Sequence, residues 1–193
     1  MGSRMFPFIN KTWNPIAGGP CLYDCDYCWA RAMIEDPNPK WDNLRKKYTG
    51  PMRLHEAAMK VRFKPEDFVF VCDMMDIGDP RIPRNATTAL FKKIESHPDT
   101  RFLLLTKNPY WYIVWLDRLP GNDRLPKNVY LGATIETNLD HTQAVSHAPS
   151  TTYRLNIMAA LKVRYPDRPR FISIEPIMDF SDGFAQELID LDP

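Results

Sequence analysis

Four short stretches of the chain consist almost entirely of apolar, β-branched or aromatic residues. Each is four to six residues long, and polar residues follow it directly. Unbroken apolar character over this length is typical of strands buried on both faces of a parallel sheet. The predicted strands are residues 68–72, 102–106, 129–134 and 171–174. A fifth, weaker strand is predicted around residues 8–13.

Between the strands, apolar residues recur at helical spacing. Residues 85–97 carry Leu90, Phe91 and Ile94 on one face, and residues 110–119 and 152–163 are similarly apolar. Short helices are also predicted around residues 52–62 and 183–191. A helix after each strand defines a βα unit, so the sequence predicts an α/β fold with a parallel sheet, either open or curled into a barrel.

Composition indicates one ordinary globular domain spanning residues 1–193. Hydrophobic residues make up 44% and charged residues 25%, and the formal net charge of +1 gives no electrostatic case for a nucleic-acid partner. No apolar stretch reaches the ~18 residues needed to cross a bilayer. Residues 1–12 do not resemble a signal peptide. We therefore expect a cytoplasmic protein without a membrane partner, and we interpret residues 1–4 as a vector scar.

Ionisable or amide side chains come directly after the predicted strands. Because the carboxyl ends of parallel strands meet at one edge of the sheet, these side chains are expected to form a shared polar site. The candidates are Asp73, Asp76, Lys107, Glu136, Asn138 and Glu175.

Three of the four cysteines, Cys21, Cys25 and Cys28, lie within eight residues. Clustered cysteines in a reducing cytosol indicate metal ligands rather than disulfides. Structural zinc usually takes four ligands in two separated pairs, and no second Cys-x-x-Cys pair exists here, although a Cys3His site with a distant histidine stays open. The alternative is an iron–sulfur cluster in which one iron lacks a protein ligand. We interpret the fourth cysteine, Cys72, as a small buried hydrophobe.

The spacing Cys-x3-Cys-x2-Cys, with Tyr27 before the third cysteine, resembles the signature of the radical S-adenosylmethionine (radical SAM) superfamily. Shorter motifs resemble an uncharacterised, phage-type branch of radical-SAM-like proteins. They are TWNP at residues 12–15, LTKNP at 105–109, LGATIETN at 131–138 and FISIEP at 171–176.

The resemblance implies a partial (βα)6 TIM-like barrel in which Cys21, Cys25 and Cys28 hold a [4Fe–4S] cluster. S-adenosylmethionine would bind the remaining iron, and an external electron donor would supply the electron for its cleavage to a 5′-deoxyadenosyl radical, which takes a hydrogen from an unknown substrate. Only five strands are predicted, so the barrel would lack its last strand. The chain is then truncated or naturally short, or a second copy or another partner covers the open edge.

Within this resemblance, roles follow from the chemistry of S-adenosylmethionine. Lys107 would bind its carboxylate, and Asp73 and Glu136 would accept from its ammonium or ribose hydroxyls. Asn138 would hydrogen-bond the ribose or carboxylate. The remaining candidates are Tyr27, beside the cluster or adenine, Glu175, facing cofactor or substrate, and Trp13 and Trp29, shielding the cluster.

Residues 36–64 form an insertion between the cysteine motif and the second strand. It carries six basic residues between Lys40 and Lys60, which leaves a nucleic-acid partner open beside the alternative of a solvated helical face. The leading hypothesis is a radical SAM enzyme of unknown substrate. The alternatives are a non-catalytic iron–sulfur or zinc module that binds a partner and an enzyme resembling DNA-lesion lyases.

Overall fold

The central element of the computed structural model is a five-stranded sheet in which every pair of neighbouring strands is parallel. The structure describes residues 6–118, 126–139 and 142–193, so the interpretation of residues 1–4 lies outside the described part. The strands of this sheet are β1 (Lys11–Trp13), β4 (Phe68–Val71), β5 (Arg101–Thr106), β6 (Val129–Thr134) and β7 (Arg170–Ser173). The predicted α/β class with a parallel sheet is thus confirmed.

Strand order follows chain order without reversal, as β1-β4-β5-β6-β7. Aligned pairs include Trp13 with Val71, Val71 with Leu104 and Leu104 with Leu131. Within the described residues, β1 and β7 do not pair with each other, and no strand follows β7. The sheet is therefore open in this structure, and barrel closure is not observed.

Helices cover one face of the sheet. The helices after β4, β5, β6 and β7 are α4 (Arg84–Glu95), α5 (Tyr110–Arg118), α6 (Thr151–Arg164) and α7 (Phe184–Asp190). Their apolar sides pack on alternate strand residues in one large core, of which Leu90, Leu104 and Leu131 are fully buried. The predicted helices at these four places are confirmed, although residue 119 lies outside the described residues.

The opposite face of the sheet is filled with aromatic side chains toward the amino ends of its strands. Phe6 packs there, with its ring centroid 5.2 Å from that of Phe171 and 5.8 Å from that of Phe70. Leu103 is fully buried in the same cluster. Because this aromatic cluster fills the face toward the amino ends of the strands, the cavity described below lies toward their carboxyl ends.

A second, two-stranded antiparallel sheet corrects the prediction of a helix around residues 52–62. β2 (Ile16–Gly19) pairs with β3 (Gly50–Leu54), and only α3 (Glu56–Met59) is helical in that region. Met52 is buried in the large core, so tertiary pairing and burial override local helical propensity. The remaining helical segments are α1 (Trp29–Glu35), α2 (Asp42–Lys47) and two 3₁₀ turns, Pro39–Trp41 and Thr142–Ala144.

No helix among the described residues is both long enough and apolar enough to span a membrane.

Candidate functional site

A cavity of about 270 Å³ opens at the carboxyl edge of the main sheet. Its volume is close to the lower end of the range of small-molecule sites, about 300–1,000 Å³. All four cysteines, four strand-end ionisable residues and several apolar side chains line it. The lining includes Cys21, Tyr23, Cys25, Tyr27, Cys28, Trp29, Phe70, Cys72, Asp73, Asp76, Leu105, Lys107, Thr134, Ser173, Glu175 and Pro176.

The loop of residues 21–28, called the cysteine loop below, is held in place by hydrogen bonds near each thiol. The sulfur of Cys25 lies 3.0 Å from the hydroxyl of Ser146, which belongs to the segment before α6. Cys28 is the N-cap of α1, and its sulfur accepts the backbone N–H of Arg31 at 3.4 Å. The loop therefore contacts both the first helix and the connection after β6.

The loop after β4 fixes the first part of the cysteine loop. The carboxylate of Asp79, itself 1% exposed, accepts the backbone N–H of Leu22 at 3.1 Å. The Tyr23 hydroxyl donates to the carbonyl of Gly78 at 2.9 Å. Arg81 pairs with Asp79 at 2.6 Å and also donates to the carbonyl of Pro20. These contacts give Cys21 a defined position beside the end of β4.

Glu136, at the end of β6, is the centre of a buried charge network. One carboxylate oxygen accepts the Tyr27 hydroxyl at 2.7 Å and pairs with the Lys107 amine, and the other pairs with the guanidinium of Arg154 at 2.7 Å. Burial alone would raise the pKa of Glu136, but Lys107 and Arg154 outweigh it, so that the pKa is lowered. Burial and the Glu136 charge raise the pKa of Tyr27. The structure therefore brings three of the predicted residues together.

Arg154 is a site residue that sequence reasoning missed. It lies in the first turn of α6 and is fully buried, and it also donates to the carbonyls of Thr134 at 2.9 Å and Pro149 at 2.7 Å. Its Nη2 is buried without a hydrogen-bond partner. The only sequence signal was a basic residue on the inward side of a helix, between the buried positions Thr151 and Met158.

Two aspartates after β4 line the cavity and differ from Glu136 in lacking a close cation. Asp73 accepts a hydrogen bond from Asn14 at 2.5 Å, and Asp76 accepts backbone N–H groups and the Thr106 hydroxyl. Burial raises the pKa of both carboxyls, although these hydrogen bonds oppose the effect. Among the described residues, no cationic side chain forms an ion pair within 4 Å of either carboxylate.

The ionisable side chains of the cavity wall are mainly acidic, apart from the cysteine and tyrosine side chains. Three carboxylates, Asp73, Asp76 and Glu175, line it against one amine, that of Lys107. The Lys107 amine is already paired with Glu136, which is fully buried and does not line the cavity. An occupant with positive charge would therefore be favoured over an anion.

Asn138 does not join the other predicted residues. Its side chain donates to the Ser181 hydroxyl at 2.7 Å and to the Glu187 carboxylate at 3.1 Å, and it accepts the backbone N–H of Ser181. These contacts connect the segment after β6 to the start of α7, away from the cavity lining. Glu175, in contrast, lies at the cavity beside Pro176.

The three motif cysteines supply three of the four thiolates that a [4Fe–4S] cluster usually takes. Burial, followed by the charge of Asp76, raises the pKa of Cys21 to about 12. Within the described residues, no group of three or more Cys, His, Asp and Glu side chains is arranged to hold a single metal ion. Thiolates of a cluster bind different irons, so they need not converge on one point. The soft donor set and the shared cavity therefore fit a cluster.

Cys72 lies at the same cavity, immediately after β4, which ends one residue earlier than predicted. Its backbone φ is +61°, a left-handed conformation that is uncommon for a residue other than glycine. Burial raises the pKa of its thiol above the ordinary value. The residue is 3% exposed and belongs to the large core, which agrees with its interpretation as a small hydrophobe.

The insertion of residues 36–64 supports the cysteine loop from behind. Tyr48 is buried against Ala30 and Met74, with Cys28 and Leu44 packed on the same cluster. Several of its basic side chains hydrogen-bond backbone carbonyls; Arg45 and Lys47 are partly buried, and Arg53 is exposed. Lys47 donates to the carbonyl of Asn14, Arg45 to those of Asp36 and Asn38, and Arg53 to those of Thr49 and Pro51. Partial burial therefore limits the access of a nucleic acid to Arg45 and Lys47 but not to Arg53.

Fold and site together define an α/β protein with a cysteine-lined, acidic cavity at the carboxyl edge of a parallel sheet. The chain belongs to the family described as "Protein of unknown function (DUF5131)", whose profile matches residues 4–190. No curated protein and no solved structure matches the chain.

Proposed function

We propose that this protein is a radical S-adenosylmethionine enzyme that holds a [4Fe–4S] cluster and acts on a substrate still to be identified. One observation carries the proposal: the three motif cysteines and the strand-end carboxylates line a single cavity. When bound, the cluster and S-adenosylmethionine would supply reductive cleavage of the cofactor and hydrogen abstraction from substrate, with electrons from an external donor.

Strand order supports a partial (βα)6 TIM-like barrel as the finer description of the fold. In doubly wound sheets the order reverses at a switch point, whereas here each new strand adds to the same edge. The helices after β4, β5, β6 and β7 cover one face, as the outer ring of a barrel does. Sites in such folds lie at the carboxyl ends of the strands, where this cavity opens.

Charge also favours this cofactor. S-adenosylmethionine carries a sulfonium and an ammonium against one carboxylate, so it is a net cation. The wall offers Asp73, Asp76 and Glu175 to the cationic groups, and Lys107, supported by Tyr27, to the carboxylate. Glu136 is not among the residues that line the cavity, so it would hold Lys107 and Tyr27 in position rather than contact the cofactor.

Anaerobic reconstitution with iron and sulfide tests the proposal. We expect a brown protein with broad absorbance near ~400 nm, and release of 5′-deoxyadenosine after addition of dithionite and S-adenosylmethionine. Cys25→Ser should abolish both signals because it removes a cluster ligand. Cys72→Ser is the matched control: it changes a cysteine at the same cavity but outside the motif, and it should keep both.

The alternatives give different results in the same assay. A colourless protein that holds one zinc ion tightly would refute the proposal. A stable cluster without cofactor cleavage would favour the non-catalytic binding module. Nucleic-acid substrates are tested separately by adding DNA or RNA to the reduced protein, and the partly buried Arg45 and Lys47 give this class no additional support.

A further inference from the structure

Asp76 lies where three parts of the site meet: the cysteine loop, the loop after β4 and the end of β5. Its carboxylate accepts the backbone N–H of Lys107 at 2.6 Å, the backbone N–H of Gly78 at 2.7 Å and the Thr106 hydroxyl. Burial raises the pKa of Asp76, and these three donors oppose that rise by favouring the ionised form. A Cβ atom added to Gly78 would lie 3.1 Å from this carboxylate and only 2.3 Å from the Thr106 hydroxyl, so glycine permits the close approach.

The carboxylate of Asp76 has no cation in direct contact. Among the described residues Asp76 forms no ion pair, because the Lys107 side chain turns to Glu136 and presents only its backbone N–H to Asp76. Asp79, three residues further along the same loop, pairs with Arg81 at 2.6 Å. The loop therefore carries one compensated and one uncompensated carboxylate.

The uncompensated carboxylate is the one beside a cysteine of the motif. Asp76 and Cys21 line the same cavity, and the two residues after Cys21 hydrogen-bond the Asp76 loop: Leu22 donates to Asp79 and Tyr23 to the carbonyl of Gly78. A negative charge in the wall of the same cavity disfavours the addition of an electron to a group that the Cys21 sulfur binds.

We propose that Asp76 is a positioning residue that fixes the Cys21 segment against the end of β5 and lowers the reduction potential of the cluster. The inference rests on the proposed function, since it requires a redox-active group on the three motif cysteines. The couple transfers one electron, which dithionite supplies in the titration, and no bond is formed or broken at Asp76.

The test is a redox titration of the reconstituted, full-length protein, followed by electron paramagnetic resonance. Asp76→Asn keeps the shape of the side chain and removes its charge. At a fixed potential, we expect about a tenfold higher ratio of reduced to oxidised protein, which is a shift of about 59 mV upward for a one-electron couple. Asp76→Glu, which keeps the charge, should stay close to the wild-type potential.

The double variant Asp79→Asn with Arg81→Gln is the matched control, because it loosens the same loop without changing the net charge. It should destabilise the protein, measured by urea unfolding, but leave the potential unchanged. If Asp76→Asn does not fold, Asp76→Ser repeats the removal of charge with a smaller side chain.

Two results would overturn the inference while leaving the proposed function intact. One is a folded, fully loaded Asp76→Asn or Asp76→Ser protein with the wild-type potential. The other is an equal upward shift in the double variant, which would assign the effect to loop packing. A wild-type protein that takes up no cluster under reconstitution would overturn both the inference and the proposed function.

Discussion

Removal of the Glu136 charge should destabilise the fold more than any exposed charge substitution. Glu136 and Arg154 are both fully buried, and the Lys107 side chain is 15% exposed. Glu136→Gln keeps the size of the side chain but leaves two cations without a counter-charge, and its amide N–H₂ would face one of them. A buried ion pair contributes little net stability when intact, but a broken one leaves an uncompensated buried charge.

The expected loss is about 3–5 kcal/mol in the free energy of unfolding. For a domain of this length, each 1 kcal/mol lowers Tm by about 2–4 °C, so Tm should fall by about 6–20 °C. Urea unfolding at pH 7 measures the change directly. The midpoint should fall while the slope of free energy against urea concentration stays constant, because the surface exposed on unfolding is unchanged.

Two further variants distinguish the loss of the buried ion pair from a general effect of removing a carboxylate. Glu66→Gln removes a carboxylate that is 67% exposed and 3.7 Å from Lys64, and it should change stability by less than about 1 kcal/mol. Arg154→Met in the Glu136→Gln background should recover part of the loss, because it removes one of the unpaired cations. A Glu136→Gln protein as stable as Glu66→Gln would refute the argument.

Other predictions follow from the same contacts. The pKa of Glu136 is lowered in the folded state. The ionised carboxylate therefore stabilises the fold fully above the ordinary pKa of 4.5, and this stabilisation is lost as the pH falls through the folded-state pKa. Below pH 4.5, the urea midpoint should fall more steeply for wild type than for Glu136→Gln. Gly18→Ala should lower the free energy of unfolding by about 1–3 kcal/mol from overpacking alone, because the added Cβ would lie 2.3 Å from the Pro51 carbonyl oxygen, and the φ of +96° adds strain. Gly50→Ala should cost less in the same unfolding assay, because Gly50 has a φ of +78° but no atom within 4 Å of the added Cβ. Leu104→Ala, at a fully buried position in the central strand, should cost about 2–5 kcal/mol by urea unfolding and is contradicted by a loss below 1 kcal/mol.

The main sheet could be predicted because its strands are buried on both faces. Such strands read as unbroken apolar runs, and β4, β5, β6 and β7 lie within one or two residues of the predicted runs. β2 and β3 could not be predicted in the same way. Ile16–Gly19 contains two glycines and Gly50–Leu54 begins with glycine and proline, so their pairing depends on contacts between segments distant in sequence.

The candidate site could be predicted where polar residues directly follow strands. Lys107 and Glu136 came from this rule, and their contact with Tyr27 follows from the return of the cysteine loop to the carboxyl edge. Arg154 was not predicted because a basic residue within a helix usually faces solvent. Asn138 obeys the rule but turns away, because α7 offers Ser181 and Glu187 as partners.

The carboxylates at this edge of the sheet divide into two groups that have different consequences for binding. Glu136 and Asp79 have cationic partners, so their charges are used within the fold to fix β6, α6 and the cysteine loop. Asp73 and Asp76 have only neutral donors, and both face the cavity. Neutral donors satisfy the hydrogen-bonding capacity of a carboxylate but leave its charge, so the attraction for a cation is directed into the cavity. For the proposed function, the acidic side chains beside the thiols add to the cysteine spacing, because they favour a cationic cofactor over an anionic one.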